Sequence, residues 1–157
     1  MRLSETMKKV PLLASADINA GVDSDSINMK DYLDASFDIV FGPSYAGAAG
    51  AIIKLYSGAT VGAKTTALTF NYRYGGGAIK AASADVLSTE ATSAALQIAT
   101  ATMVSRLLTI EIDATEMAAD HSWLTLEIGA QADSGEMTIT AHLRPRYTSA
   151  AGVTCLA

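Results

Sequence analysis

The stretch RLLTIEIDATEMAADHSWLTLEI, Arg106 to Ile128, decides the fold. Leu108, Ile110 and Ile112 alternate with Thr109, Glu111 and Asp113, and Leu124, Leu126 and Ile128 alternate with Trp123, Thr125 and Glu127. Successive side chains on a strand point to opposite faces, so a period of two gives each segment one apolar face and one polar face. A helix would scatter the same residues around its axis. Both segments therefore read as half-buried antiparallel strands. Between them, Asp113 stands before Ala114-Thr115-Glu116-Met117-Ala118-Ala119, helix-forming residues behind a capping carboxylate, which predicts one helical turn.

The same alternation recurs on either side. Ser26–Lys30, Ser36–Phe41, Ala51–Tyr56, Thr66–Tyr74 and Glu136–Leu143 each read as strands. Gly42-Pro43, Gly75-Gly76-Gly77 and Asp133-Ser134-Gly135 supply the turns. Ala81–Ser105 carries helix-permitting Ala, Leu and Glu among many Thr and Ser residues, and reads as a loop followed by a strand near Ala95–Ala99. Eight or nine strands with one helical turn predict an all-β chain, an antiparallel jelly-roll-like β-sandwich, with an immunoglobulin-like sandwich second.

A chain of 157 residues is one domain, and folding buries about 70% of its unfolded surface, enough for an unstapled core. The expected division is an N-terminal arm at 1–16, the sandwich at 17–147 and a tail at 148–157. The lone Cys155 forms no internal disulfide and reads as an inert thiol. A net charge of −5, with eleven basic residues spread along the chain, argues against nucleic acid as a partner. No apolar run reaches the roughly 20 residues of a membrane helix. The start has a basic pair and an Ala-Ser-Ala, but its apolar run is too short for a signal peptide, so it reads as an arm.

The chemical motifs read as structural. Gly58-Ala59-Thr60-Val61-Gly62-Ala63-Lys64-Thr65 misses phosphate-loop spacing and is expected to be a hairpin loop. Asp120-His121-Ser122 holds the residue types of a hydrolase triad, but neighbours on a strand point apart, and no G-x-S-x-G elbow is present. His142 is expected on a solvated face. Asp17, Asp23, Asp25 and Asp31 lack calcium-loop spacing, and two His with one Cys give no zinc spacing. Trp123, Tyr45, Tyr56, Tyr72 and Tyr74 could make a sugar-stacking platform, although tyrosines on strands more commonly pack into cores or interfaces. No catalytic, cofactor or metal residue is therefore assigned.

Asp31-Tyr32, Ala35–Gly42, Leu107–Leu126 and the closing Arg144-Pro145-Arg146-Tyr147 resemble small virion proteins of tailed bacteriophages, many of them capsid decoration (cement) proteins. The resemblance implies a non-enzymatic protein that binds the outer surface of the capsid, with the major capsid protein and copies of itself as partners. It implies assembly in the bacterial host cytoplasm and residence in the virion. A head–tail connector or tail component, or a carbohydrate-binding sandwich module, are the alternatives. A trimer is favoured because capsid lattices offer three-fold sites. Leu12, Leu13, Val153 and Leu156, in the weakly patterned ends, would gain by burial and are the expected capsid or subunit contacts.

Overall fold

In the computed structural model, which describes residues 6–45, 50–97, 99–130, 135–147 and 154–156, the period-two segments become strands. They are β1 (Lys8–Asp17), β2 (Val22–Asp23), β3 (Ile27–Asn28), β4 (Tyr32–Phe41), β5 (Ile52–Gly58), β6 (Thr66–Leu68) and β7 (Phe70–Tyr74). β8 (Ala91–Ser93), β9 (Leu96–Gln97), β10 (Leu107–Asp113), β11 (Trp123–Ile128) and β12 (Glu136–Pro145) follow. A single-turn helix α1 (Thr100–Met103) precedes β10, and a 3-10 turn at Ala114–Glu116 follows it.

One sheet has the order β1-β12-β4-β10-β7-β8; the other runs β2-β11-β5-β6, with β3 also on β11 and β9 on β5. Strands β2 and β3 are two pieces of one strand along β11. Numbering the eight principal strands in chain order gives 1-8-3-6 in the first sheet and 2-7-4-5 in the second. That interleaving is the paired Greek key of a jelly roll. The expected all-β sandwich is the fold.

Apolar rows of the two sheets meet in one core. Phe37 on β4 stands between Ile110 on β10 and Ala141 on β12, in the same buried cluster as Leu55, Leu124 and Leu126 of the other sheet's inner row. The segment read as one strand, Thr66–Tyr74, serves both sheets, β6 pairing β5 and β7 pairing β10. Leu68 and Phe70 are both buried, so the inward row continues while the chain changes sheets. The predicted turn after β10 forms a capping box: Asp113 accepts from the Thr115 N–H at 2.8 Å, and Glu116 accepts from the Asp113 N–H at 2.9 Å. The Thr115 donors hold the Asp113 carboxyl below its ordinary range.

The two chain ends depart from expectation. The segment read as an arm supplies edge strand β1 from Lys8 onward, with Lys8 opposite Leu143 and Asp17 opposite Glu136. Register shifts between Pro11 and Leu13 and between Leu13 and Ala16 break the alternation there, and Ser15 takes a positive φ of 41°. Pro11 sits at a sheet edge, where a missing N–H is tolerated. At the other end, Leu156 bridges to Ile27 and the Cys155 carbonyl accepts from the Asn28 N–H at 2.8 Å. Within Ala81–Ser105, the expected strand appears as Leu96–Gln97, while β8 and α1 are additions.

Candidate functional site

His121 is where sequence neighbours and spatial neighbours differ most. Its Nδ1 lies 2.8 Å from the Ser57 hydroxyl, 64 residues away, and its Nε2 lies 3.8 Å from Asp120 Oδ1. A Ser–His–Asp grouping therefore exists, but with Ser57 in place of Ser122. Ser57 occupies the inward row at the end of β5 and is 0% exposed. Acyl transfer requires a carbonyl carbon about 3 Å from the nucleophilic oxygen along an open path. A sealed hydroxyl offers none. The bond, with the Ser122 N–H donating to the Gly58 carbonyl at 3.2 Å, fastens the connection before β11 onto β5.

His142, expected in solvent, is half-buried on the outer face of the first sheet. Its Nε2 lies 3.0 Å from Asp38 Oδ2, and Asp38 Oδ1 accepts from the Thr109 hydroxyl at 2.9 Å. Side chains from β12, β4 and β10 are thereby laced across the sheet.

The phosphate-loop look-alike is the hairpin loop between β5 and β6. A Cβ on Gly58 would meet the Ala63 carbonyl oxygen at 2.4 Å, so the close loop base requires glycine. The Lys64 ammonium reaches Glu127 at 2.6 Å and Asp23 at 3.0 Å, and these carboxylates raise its pKa. Gly62 donates to the Ser26 hydroxyl, which lies 2.8 Å from that of Thr125. The loop is thus folded onto its own sheet, leaving no open cradle of N–H groups for a phosphate.

The candidate aromatic side chains divide between the two sheets. Tyr72 and Tyr74 stand opposite the core residues Ile110 and Leu108 and pack inward, whereas Trp123 and Tyr56 lie on the outer face of the other sheet, Tyr56 opposite Thr125 and Trp123 two residues before it. Tyr45 packs against Phe41 at 4.6 Å between ring centroids, its hydroxyl accepting from the Ala51 N–H. Asp17 accepts from the Asn19 N–H, and Asp23 binds Lys64. Among the described residues, no three His, Cys, Asp or Glu side chains gather as a metal site, and no helix is long and apolar enough to cross a membrane. An open cleft of about 540 Å³ lies beside Met29, Lys30, Thr115, Met117, His121 and Arg146. Arg146 donates from Nε to the Tyr32 carbonyl there, bracing the strand end.

Of the expected contact residues, Leu12 is 5% exposed and already buried in the chain's own core. Leu13 and Leu156 are partly buried against that core, and Val153 lies outside the described residues. The large aliphatics that do face solvent include Ile79, Val86 and Leu87, in the loop between β7 and β8. No periodicity marks them in the sequence.

Burial raises the Cys155 thiol pKa, and Tyr32, buried and hydrogen-bonded to Cys155, is pushed from 10.0 up to about 12. Both groups are neutral in the fold, and the unfolded chain sheds these protons first as pH rises. Their stabilisation is whole below about pH 9 and is lost as pH climbs towards 12. Two pH units on Tyr32 correspond to about 2–3 kcal/mol. Urea midpoints should fall steeply between pH 9 and pH 11.5, and Tyr32→Phe should flatten that decline. An unchanged alkaline slope in the variant would refute the assignment.

No family model and no curated protein matches the chain. Among solved structures, it is similar to the crystal structure of the SPBc2 prophage-derived protein YomS. The TM-score is 0.51 and the identity 11%, over 87% of this chain and 91% of that one. The two share a fold.

Proposed function

We propose that the chain is a structural protein of a tailed-phage virion that binds the outer surface of the capsid and stabilises it, without enzymatic activity. The observation that carries this reading is the jelly roll shared with a prophage-derived protein along almost its whole length. The resemblance of Asp31-Tyr32, Ala35–Gly42, Leu107–Leu126 and Arg144–Tyr147 to small virion proteins of tailed phages, many of them decoration proteins, supports it from the sequence side. A sealed Ser57 and the inward packing of Tyr72 and Tyr74 suit a passive binding protein better than a hydrolase or a sugar-binding module.

In this reading the major capsid protein is the partner, and the protein joins expanded heads in the host cytoplasm. The test is to mix the purified chain with expanded, undecorated capsids of the major capsid protein encoded with it, then sediment and image them. Saturable occupancy on the outer lattice, with capsids that withstand higher temperature, is expected. Density at the portal or tail of native virions would assign it to the connector or tail. Saturable glycan binding lost in Trp123→Ala would assign it to the sugar-binding class.

A further inference from the structure

Residues 75–87 form a compact loop closed at its base. Gly75 bridges to Leu87, the Gly76 N–H donates to the Val86 carbonyl at 2.8 Å, and the Ser88 N–H donates to the Tyr74 carbonyl at 2.9 Å. A Cβ on Gly76 would stand 3.0 Å from the Val86 oxygen, so glycine permits the two limbs to meet. The Ile79 N–H donates to the Ser105 carbonyl at 2.6 Å, and both Lys80 and Ser105 hold positive φ, at 74° and 53°. Non-glycine residues stay in that region only where their surroundings fix them. The loop is therefore preformed, which lowers the ordering cost of binding through it.

What it presents is apolar. Ile79, Val86 and Leu87 are 48%, 61% and 42% exposed, and Ala78, Ala81 and Ala82 around them are also exposed. Only two charges occur between residues 75 and 88: Lys80 beside Ile79 on the outgoing limb, and Asp85 beside Val86 on the returning one. Neither joins an ion pair among the described residues. The chain carries a net charge of −5, so two copies repel each other overall, whereas this loop is neutral and carries one charge of each sign.

We propose that this loop is a self-association surface, with the aliphatics of two copies packed together and Lys80 of one protomer meeting Asp85 of the partner subunit. Opposite unpaired charges flanking an apolar patch are self-complementary, as contact between identical copies requires. This specifies the self-contact of a virion protein but does not depend on the capsid. Failure of capsid binding with association intact would remove the virion reading alone.

The test is sedimentation of the full chain across a concentration series. The wild-type mass should rise with concentration, and the combined changes Ile79→Ser, Val86→Ser and Leu87→Ser should weaken association about a hundredfold, two factors of ten in the equilibrium constant. These positions are exposed, so circular dichroism and the unfolding midpoint should not move. Lys80→Glu alone and Asp85→Lys alone should each weaken association, and the two together should restore it. A wild type that stays monomeric, a triple variant that associates normally, or a charge exchange without recovery would each overturn the proposal. So would flotation of a monomeric wild type with phosphatidylcholine vesicles through these same side chains, which would give the patch to lipid.

Discussion

A chain lacking residues 2–17 is expected to lose its cooperative fold. Strand β1 lies along β12 from Lys8 to Asp17 and places Val10 and Leu12 in the core. Two buried aliphatic side chains contribute roughly 3–6 kcal/mol, at 1.5–3 kcal/mol each. The stability of a whole domain is only about 5–15 kcal/mol. Removal also uncovers Met137 and Ile139 and turns the long strand β12 into a bare edge, which invites pairing between chains. Urea unfolding followed by circular dichroism, with size-exclusion chromatography, should show a shallow or absent transition and aggregation. Deleting residues 2–5 leaves β1 whole, and its midpoint is the reference against which the longer deletion is read. That contrast decides which truncation informs capsid binding: occupancy lost only in the longer deletion reports unfolding, not a lost contact. A wild-type transition in the longer deletion would show that β1 merely decorates the sheet.

The architecture was legible wherever alternation ran unbroken. Leu108 to Ile112 and Leu124 to Ile128 lie in register with β4 and β5, and the Asp113 cap sits between them as its side chain demands. Alternation failed to reveal β1 because bulges put Leu12 and Leu13 side by side, one buried and one partly so. It also placed Thr125 on the polar face, away from the core. Thr125 does share a row with Trp123 and Glu127, but the β5–β6 loop covers it and Ser26 satisfies its hydroxyl. Coverage by a distant loop leaves no local trace. The Ser57–His121 bond was invisible for the same reason, since it joins β5 to a connection 64 residues on. The exposed loop at 75–87 escaped notice because its aliphatics follow no period, and its Ala-rich continuation resembled a weak helix. Sequence pattern reports which face is buried by regular structure. It says little about what irregular segments cover or expose.

Phe37→Ala should be among the most damaging single substitutions in this chain. Phe37 is 1% exposed in the middle strand of the first sheet, between Ile110 and Ala141. The small Ala141 beside it leaves room for the ring, so truncation removes the largest side chain at that point of the core. Neighbours held in two flanking strands cannot collapse fully into the space, and a large-to-small change at such a site costs about 3–5 kcal/mol. Phe37→Leu keeps most of the volume and should cost about 1.5 kcal/mol or less. Leu33→Ala, on the same strand but 37% exposed, should stay within about 0.5 kcal/mol. Urea midpoints of the three variants should fall in that order; a Phe37→Ala loss below that of Leu33→Ala would contradict the central packing. The loop at 75–87 lies outside the buried core cluster that holds Phe37. Where Phe37→Ala remains folded, its self-association should therefore match the wild type, since separate sites contribute independently.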